Sequence, residues 1–158
     1  LKHIGITGHQ GLNATTARNV NDALSDEIAR AGRICAVSSL AEGADQLFAE
    51  EVLRQGGALL AVIPSAGYEK TFSDQRALER YRRLLSRATD VIELGYDSPG
   101  EEAYWAAGKE VVKLSDRMLA VWDGEPSAGL GGTADIVDFA HSGGKLVTII
   151  WPQGSNRD

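Results

Sequence analysis

Val121-Trp122-Asp123-Gly124-Glu125-Pro126-Ser127-Ala128-Gly129-Leu130-Gly131-Gly132-Thr133-Ala134-Asp135 holds a strand end, a loop and a helix start in one stretch. The apolar run from Met118 to Trp122 reads as a buried strand that stops at Asp123-Gly124. A loop rich in Gly, Pro and Ser follows. Gly131-Gly132-Thr133 then leads into Ile136, Phe139 and Ala140 at helical spacing, closed by Gly143-Gly144. This order is a physical recipe for holding an anion. Glycines let backbone approach closely, and the first N–H groups of a helix lack partners and face outward, with the dipole favouring negative charge. Thr133 is placed to cap the helix, and its hydroxyl is a further donor. An ordinary capped loop has the same letters, so one glycine motif alone does not decide. What shifts the balance is that the chain repeats the arrangement twice more.

Upstream, Lys2 to Thr7 reads as a first strand ending at Gly8, with Gly8-His9-Gln10-Gly11-Leu12 as a tight loop. Asn13 caps a helix whose Val20, Leu24, Ile28 and Ala31 recur at helical spacing and which Gly32 stops. Ile34 to Val37 is a second strand. It runs into Ser38-Ser39-Leu40-Ala41-Glu42-Gly43-Ala44-Asp45, where a helix burying Ala44, Leu47, Phe48 and Val52 begins, to end at Gly56-Gly57. Ala58 to Ile63 is continuously apolar, as a strand covered on both faces should be, and Pro64 is expected to end it. The loop Ser65 to Lys70 precedes a helix from Ser73 with Leu78, Tyr81, Leu85 and Ala88 inward. Thr89 to Leu94 is a fourth strand. Ser98-Pro99-Gly100-Glu101 spells a capping box with proline at the first helical position, opening a helix to about Ser115. Leu146 to Trp151 is a last strand. Residues 1–152 therefore read as a single domain, and 153–158 as a polar C-terminal tail.

Strands and helices in such regular alternation imply an α/β fold, a three-layer αβα sandwich on a mostly parallel sheet. A sheet of this kind takes ligands outside the carboxyl ends of its strands, where strand order reverses. The loops Gly8 to Gly11, Ser38 to Asp45, Ser65 to Lys70 and Asp123 to Thr133 all lie at that edge. One site built from several loops is the economical expectation.

Composition bounds what that site can be. With 158 residues, 43% hydrophobic and 24% charged, the chain reads as an ordinary globular protein. Its net charge of −6 argues against nucleic acid or an anionic membrane as a partner. No apolar run approaches a membrane span and no signal-peptide pattern opens the chain, so the expected location is cytoplasmic. The single Cys35 sits in an apolar run, which fits a core thiol and excludes a disulfide framework. No His, Cys and carboxylate cluster has metal-ligand spacing, and neither a metal nor a bound cofactor is expected.

Each loop offers candidate contacts. Gly8 permits close approach, and His9 can donate to a phosphate or ribose oxygen. Ser38 and Ser39 are hydroxyl donors, and Gly43 lets the backbone fold round an oxyanion between Glu42 and Asp45. Asp45 suits either a ribose diol or the cap of the second helix. Beyond Pro64, Tyr68 suits either stacking on a base or packing its own loop, and Lys70 is a point charge for phosphate. Arg76, Arg80, Arg83 and Arg87 line one face of the third helix, as a docking stripe for nucleic acid or an acidic partner or as a solvated face.

Two of these segments resemble known families. Ser39-Leu40-Ala41-Glu42-Gly43-Ala44-Asp45, with Gly56-Gly57 and the apolar strand to Pro64, resembles the Ser-Gly-Leu-Ala-Arg-Gly-Ile-Asp segment of DNA-processing protein A. Ser115 to Asp135, with Gly131-Gly132-Thr133-Ala134-Asp135, resembles the Pro-Gly-Gly-x-Gly-Thr-x-x-Glu region of LONELY GUY proteins, formerly labelled possible lysine decarboxylases. Both belong to the SLOG superfamily of Rossmann-like nucleotide-binding domains. The resemblance implies a nucleotide or nucleotide derivative bound by Gly131, Gly132 and Thr133, with Gly8 and His9 opposite. Ser38, Ser39 and Gly43 would close the pocket, and Asp45 or Asp123 would read sugar hydroxyls. The LONELY GUY likeness implies, as an alternative, N-glycosidic hydrolysis of a nucleoside monophosphate with Asp135 and Glu42 as carboxylates. The arginine expected on the preceding helix is absent, however, and the Gly-Gly-x-Gly-Thr spacing is shortened. The other branch implies a DNA-binding or interaction module, although Glu42 stands where its motif has arginine and opposes a phosphate chain. SLOG relatives commonly form homodimers, for which the helix from Ser98 to Ser115, with Tyr104 and Trp105, is the candidate face.

Overall fold

The structure, a computed structural model, describes residues 1–156. Six strands, β1 (Lys2–Gly8), β2 (Ile34–Ser38), β3 (Ala58–Ser65), β4 (Asp90–Tyr96), β5 (Arg117–Val121) and β6 (Val147–Ile150), form one sheet in the order β4-β3-β2-β1-β5-β6, with every pairing parallel. Between them run α1 (Ala14–Ala31), α2 (Ala44–Arg54), α3 (Gln75–Ser86), α4 (Glu101–Leu114) and α5 (Thr133–Ser142). Alternate residues of the strands feed two cores. Ile4, Ile6, Ala36, Leu59 and Ala61 pack with Val20, Leu24, Phe48 and Val52 beneath α1 and α2. Val37, Leu60, Val62 and Met118 pack with Ala107, Val111 and Ile136 beneath α4 and α5. The outcome is the expected three-layer α/β architecture.

Strand order decides where a ligand can sit. From β1 the chain steps outward through β2 and β3 to β4; after α4 it returns to β5, on the other side of β1. The order therefore reverses between β1 and β5, and the loops leaving these two strands diverge to opposite faces and open a crevice. Gly8 pairs with Val121 at the last rung, so both loops leave from the same level.

At four element ends the difference from the sequence expectation has a clear local reason. Strand β3 continues through Pro64 to Ser65, because the register shifts between Ile63 and Ser65 and this irregularity absorbs the missing N–H. Helix α3 is capped by Asp74, whose carboxylate accepts from Ala77 N at 2.7 Å. Helix α4 starts at Glu101 with Gly100 at the cap, so Ser98 and Pro99 lie outside it. Gly132 is the cap residue of α5, and Thr133 is its first helical residue. Asn13 caps α1 as read from the sequence, accepting from Thr16 N at 2.9 Å. In the C-terminal tail, Asn156 N donates to Thr16 Oγ1 at 2.8 Å, while residues 157–158 lie outside the described residues.

Candidate functional site

A cavity of about 500 Å³ fills the crevice at the carboxyl edge of the sheet. This is within the range of small-molecule sites. The loop after β1 (Gly8 to Gly11), the loop after β2 (Ser39, Ala41, Glu42), the start of α2 (Asp45), the segment after β3 (Pro64, Tyr68, Phe72) and the loop from Trp122 to Ala134 all contribute, and Tyr104 and Gly108 of α4 complete the wall. Of the residues singled out from sequence, Gly8, His9, Ser39, Glu42, Asp45, Pro64, Tyr68, Gly131, Gly132 and Thr133 line this one space. Ser38, Gly43, Asp123 and Asp135 stand behind its surface.

Those four still shape the cavity. Ser38 is fully buried; its hydroxyl accepts from Leu40 N at 3.0 Å and lies 3.4 Å from Asp45 O, which ties the turn together and leaves nothing for a ligand. Gly43 has φ +84, and a Cβ there would stand 2.4 Å from Gln10 O, so only glycine lets this loop meet the loop after β1. The contact is sealed by Ala44 N donating to His9 O at 3.2 Å. Gly8 likewise makes room for protein, since a Cβ would stand 2.6 Å from Ala44 Cβ. Asp123 accepts from Glu125 N at 2.9 Å, and its own N–H donates to His9 Nε2 at 3.1 Å. His9 is 8% exposed and edge-on to Trp151; it joins the loops after β1 and β5 rather than standing solvated.

Around α5 the amides without a protein partner are not the set expected from sequence. Asp135 Oδ2 accepts from Gly131 N at 3.1 Å, so the chain's own carboxylate occupies that amide. Gly132 N is turned to Gly129 O at 3.4 Å, and Asp135 N donates to Ser127 Oγ at 3.1 Å. Among the described residues Thr133 N and Ala134 N make no hydrogen bond, and both residues line the cavity at the positive end of the helix. Ala134 was missed from sequence because an alanine shows no sign of use; only its place in the first turn marks it.

At the other end the cavity is acidic and aromatic. Asp45 is 9% exposed and capped on one oxygen, Oδ2, by Ala41 N at 3.3 Å. Burial outweighs that bond and pushes its carboxyl up to about 7. Tyr68 is 6% exposed, and its ring is in T-shaped contact with Phe72 and Tyr81 at 5.5 Å, so it packs its own loop as well as lining the cavity. Burial first, then the neighbouring Asp45, holds its hydroxyl well above the ordinary phenol value. Glu42 faces the cavity while its carboxylate accepts from Ser73 N at 2.5 Å and Ser73 Oγ at 2.8 Å, latching this loop to the turn before α3. Tyr104 and Phe72 were not singled out as ligand contacts, because helical spacing showed only which face of α4 is buried.

Other candidates fall outside. Arg80 and Arg83 of the arginine stripe both reach Glu50, at 3.0 and 3.8 Å, so part of its charge is balanced within the chain. Trp105 is edge-on to Phe139 and lies under Lys109 Nζ at 5.0 Å. Among the described residues no three His, Cys, Asp or Glu side chains gather as metal ligands, and no helix is long and apolar enough to cross a membrane.

No family model matches the sequence, and no curated protein does. Solved structures do match. DNA processing protein A from Streptococcus pneumoniae aligns with 98% of this chain at 18% identity and a TM-score of 0.72. This chain spans about half of that structure, 52%. DNA processing protein A from Helicobacter pylori, in a structure describing its single-stranded DNA binding mode, aligns with 98% of the chain and 68% of its own length at 16% identity and a TM-score of 0.68. The molybdenum cofactor carrier protein from Chlamydomonas reinhardtii covers 94% of the chain and 75% of its own length at 18% identity, with a TM-score of 0.58. At such identities the likeness is one of fold, and the fold of this chain is the Rossmann-like three-layer α/β one of these structures.

Proposed function

We propose that the cavity binds a nucleotide or nucleotide-derived ligand, with the phosphate on Thr133 N and Ala134 N. The observation that carries this reading is the pair of unoccupied amides on one wall of a cavity of about 500 Å³ at the strand-order reversal. The molybdenum cofactor carrier adds that this fold serves a small-molecule carrier elsewhere. Hydrolysis of an N-glycosidic bond draws less support, because Asp135 and Glu42 spend their carboxylates on Gly131 and Ser73.

Thr133→Pro tests the seat. Proline removes one amide yet suits the first helical position, and Gly132 before it is already extended at ψ 174. Affinity for AMP, measured by calorimetry, is expected to fall about tenfold with helicity retained. Unchanged affinity overturns the reading. Retention of single-stranded DNA that competes with AMP for the protein would instead support the DNA-binding alternative.

A further inference from the structure

The reading above assigns one end of the cavity and leaves the other without a role. At that other end two buried polar groups face open space. Asp45 uses Oδ2 on Ala41 N, and among the described residues Oδ1 has no partner. Tyr68 is equally buried, lines the same cavity, and its hydroxyl makes no hydrogen bond among the described residues. Two buried groups with unmet capacity, on different elements and close enough for one to perturb the other's ionisation, are costly unless something fills the gap.

Chemistry narrows what that is. Glu42 lines the same end, so a second phosphate would meet anionic carboxylate. Phe72 and Tyr104 add aromatic walls. Raised by burial to about 7, Asp45 holds a proton for part of its time at neutral pH, so the corner presents both donors and acceptors. A flat ring with a donor and an acceptor on adjacent positions of one edge satisfies both groups at once; a sugar phosphate alone does not reach such complementarity.

We propose that the Asp45–Tyr68 corner reads the edge of a nitrogenous heteroaromatic ring, a nucleobase or a pterin, at the opposite end of the cavity from the phosphate seat. This rests on the nucleotide reading and deepens it. The ring lies along Tyr104 and Phe72, its edge bonds to Asp45 Oδ1 and the Tyr68 hydroxyl, and the specificity of the site resides in these two groups.

The experiment compares AMP, purine riboside 5′-monophosphate and ribose 5-phosphate by calorimetry. The second probe keeps the sugar, phosphate and stacking surface of AMP but lacks the exocyclic amine. The wild-type protein is expected to prefer AMP to purine riboside 5′-monophosphate by about tenfold. Tyr68→Phe and Asp45→Leu should bring that ratio close to one while leaving ribose 5-phosphate affinity unchanged, and Asp45→Asn, which keeps a donor and an acceptor, should restore most of it. Since Tyr68→Phe keeps the packed ring, it stands as the test should Asp45→Leu fail to fold. A pterin monophosphate binding more tightly than AMP, with the same dependence on Tyr68 and Asp45, supports the proposal and names the ring. Equal affinity of wild type for AMP and purine riboside 5′-monophosphate overturns it, including the case in which Asp45 reads the sugar. If ribose 5-phosphate still binds, the phosphate seat survives; if none of the probes binds, both readings fall.

Discussion

Two loops of similar sequence character, one after β2 and one after β5, do opposite jobs. The loop Ser38–Gly43 is tied outward: to the loop after β1 through Ala44 N and His9 O, and to the turn before α3 through Glu42 and Ser73. From Gly124 to Gly132, every hydrogen bond among the described residues runs within the loop, to Asp123 and Trp122 beside it, or to Asp135 and Ile136 of the helix it precedes. Glycine followed by a helix thus has two physical meanings. In the first loop it lets backbone meet the loop after β1; in the second Gly131 packs against the backbone of Trp105, while the amides of Thr133 and Ala134 after it face open space. What separates them is the partner each glycine meets, which lies far away in the chain.

The contrast can be sharpened most forcefully at Asp45, through pH. Its folded pKa of about 7 lies above the ordinary value of 3.8, so its contribution is fully present below about pH 4 and is lost as pH rises to about 7. Asp45→Asn removes that loss. The variant is expected to match wild type near pH 4 and to exceed it at pH 8 by roughly 4 kcal/mol, with urea midpoints as the measurement. The contrast can be broken at Gly43. Gly43→Ala places a Cβ against Gln10 O at a residue with positive φ, and about 3 kcal/mol of stability is expected to be lost in urea unfolding. If the cost is negligible, the first loop is not the fixed one. Gly131→Ala, with φ +85 and a Cβ at 2.9 Å from Trp105 N, should cost about 1 kcal/mol, yet weaken AMP binding more than Gly43→Ala does in protein that remains folded. Arg80→Ala, remote from both loops and paired with Glu50 at the surface, should change stability by less than about 0.5 kcal/mol.

Much of this was open to reading beforehand, for identifiable reasons. Ile4, Val37, Leu60 and Met118 stand in apolar runs because both faces of a parallel strand are covered. Val20, Leu24 and Ile28 repeat at helical spacing because one face of α1 packs on the sheet. Gathering the polar loops at one edge followed from alternation alone. The exchange of roles around α5 did not: Asp135 taking the Gly131 amide depends on loop conformation, which local letters do not fix. Nor did the roles of His9 and Gly8, whose partners are Asp123 and Ala44. Pro64 misled because its missing N–H mattered only if the ladder were regular, and there it shifts.

The Gly43–Gln10 contact makes the cavity asymmetric, with one wall hydrogen-bonded to distant loops and one whose hydrogen bonds are all local. Local bonding leaves residues 124–132 as the wall where a ligand's own contacts add most to what the chain already makes. Changes made for tighter capture should therefore pay off between Gly124 and Gly132, for instance by stiffening that stretch. The indole of Trp122, tethered to Glu125 at the root of that wall and lining the cavity, offers a native optical signal of its occupation.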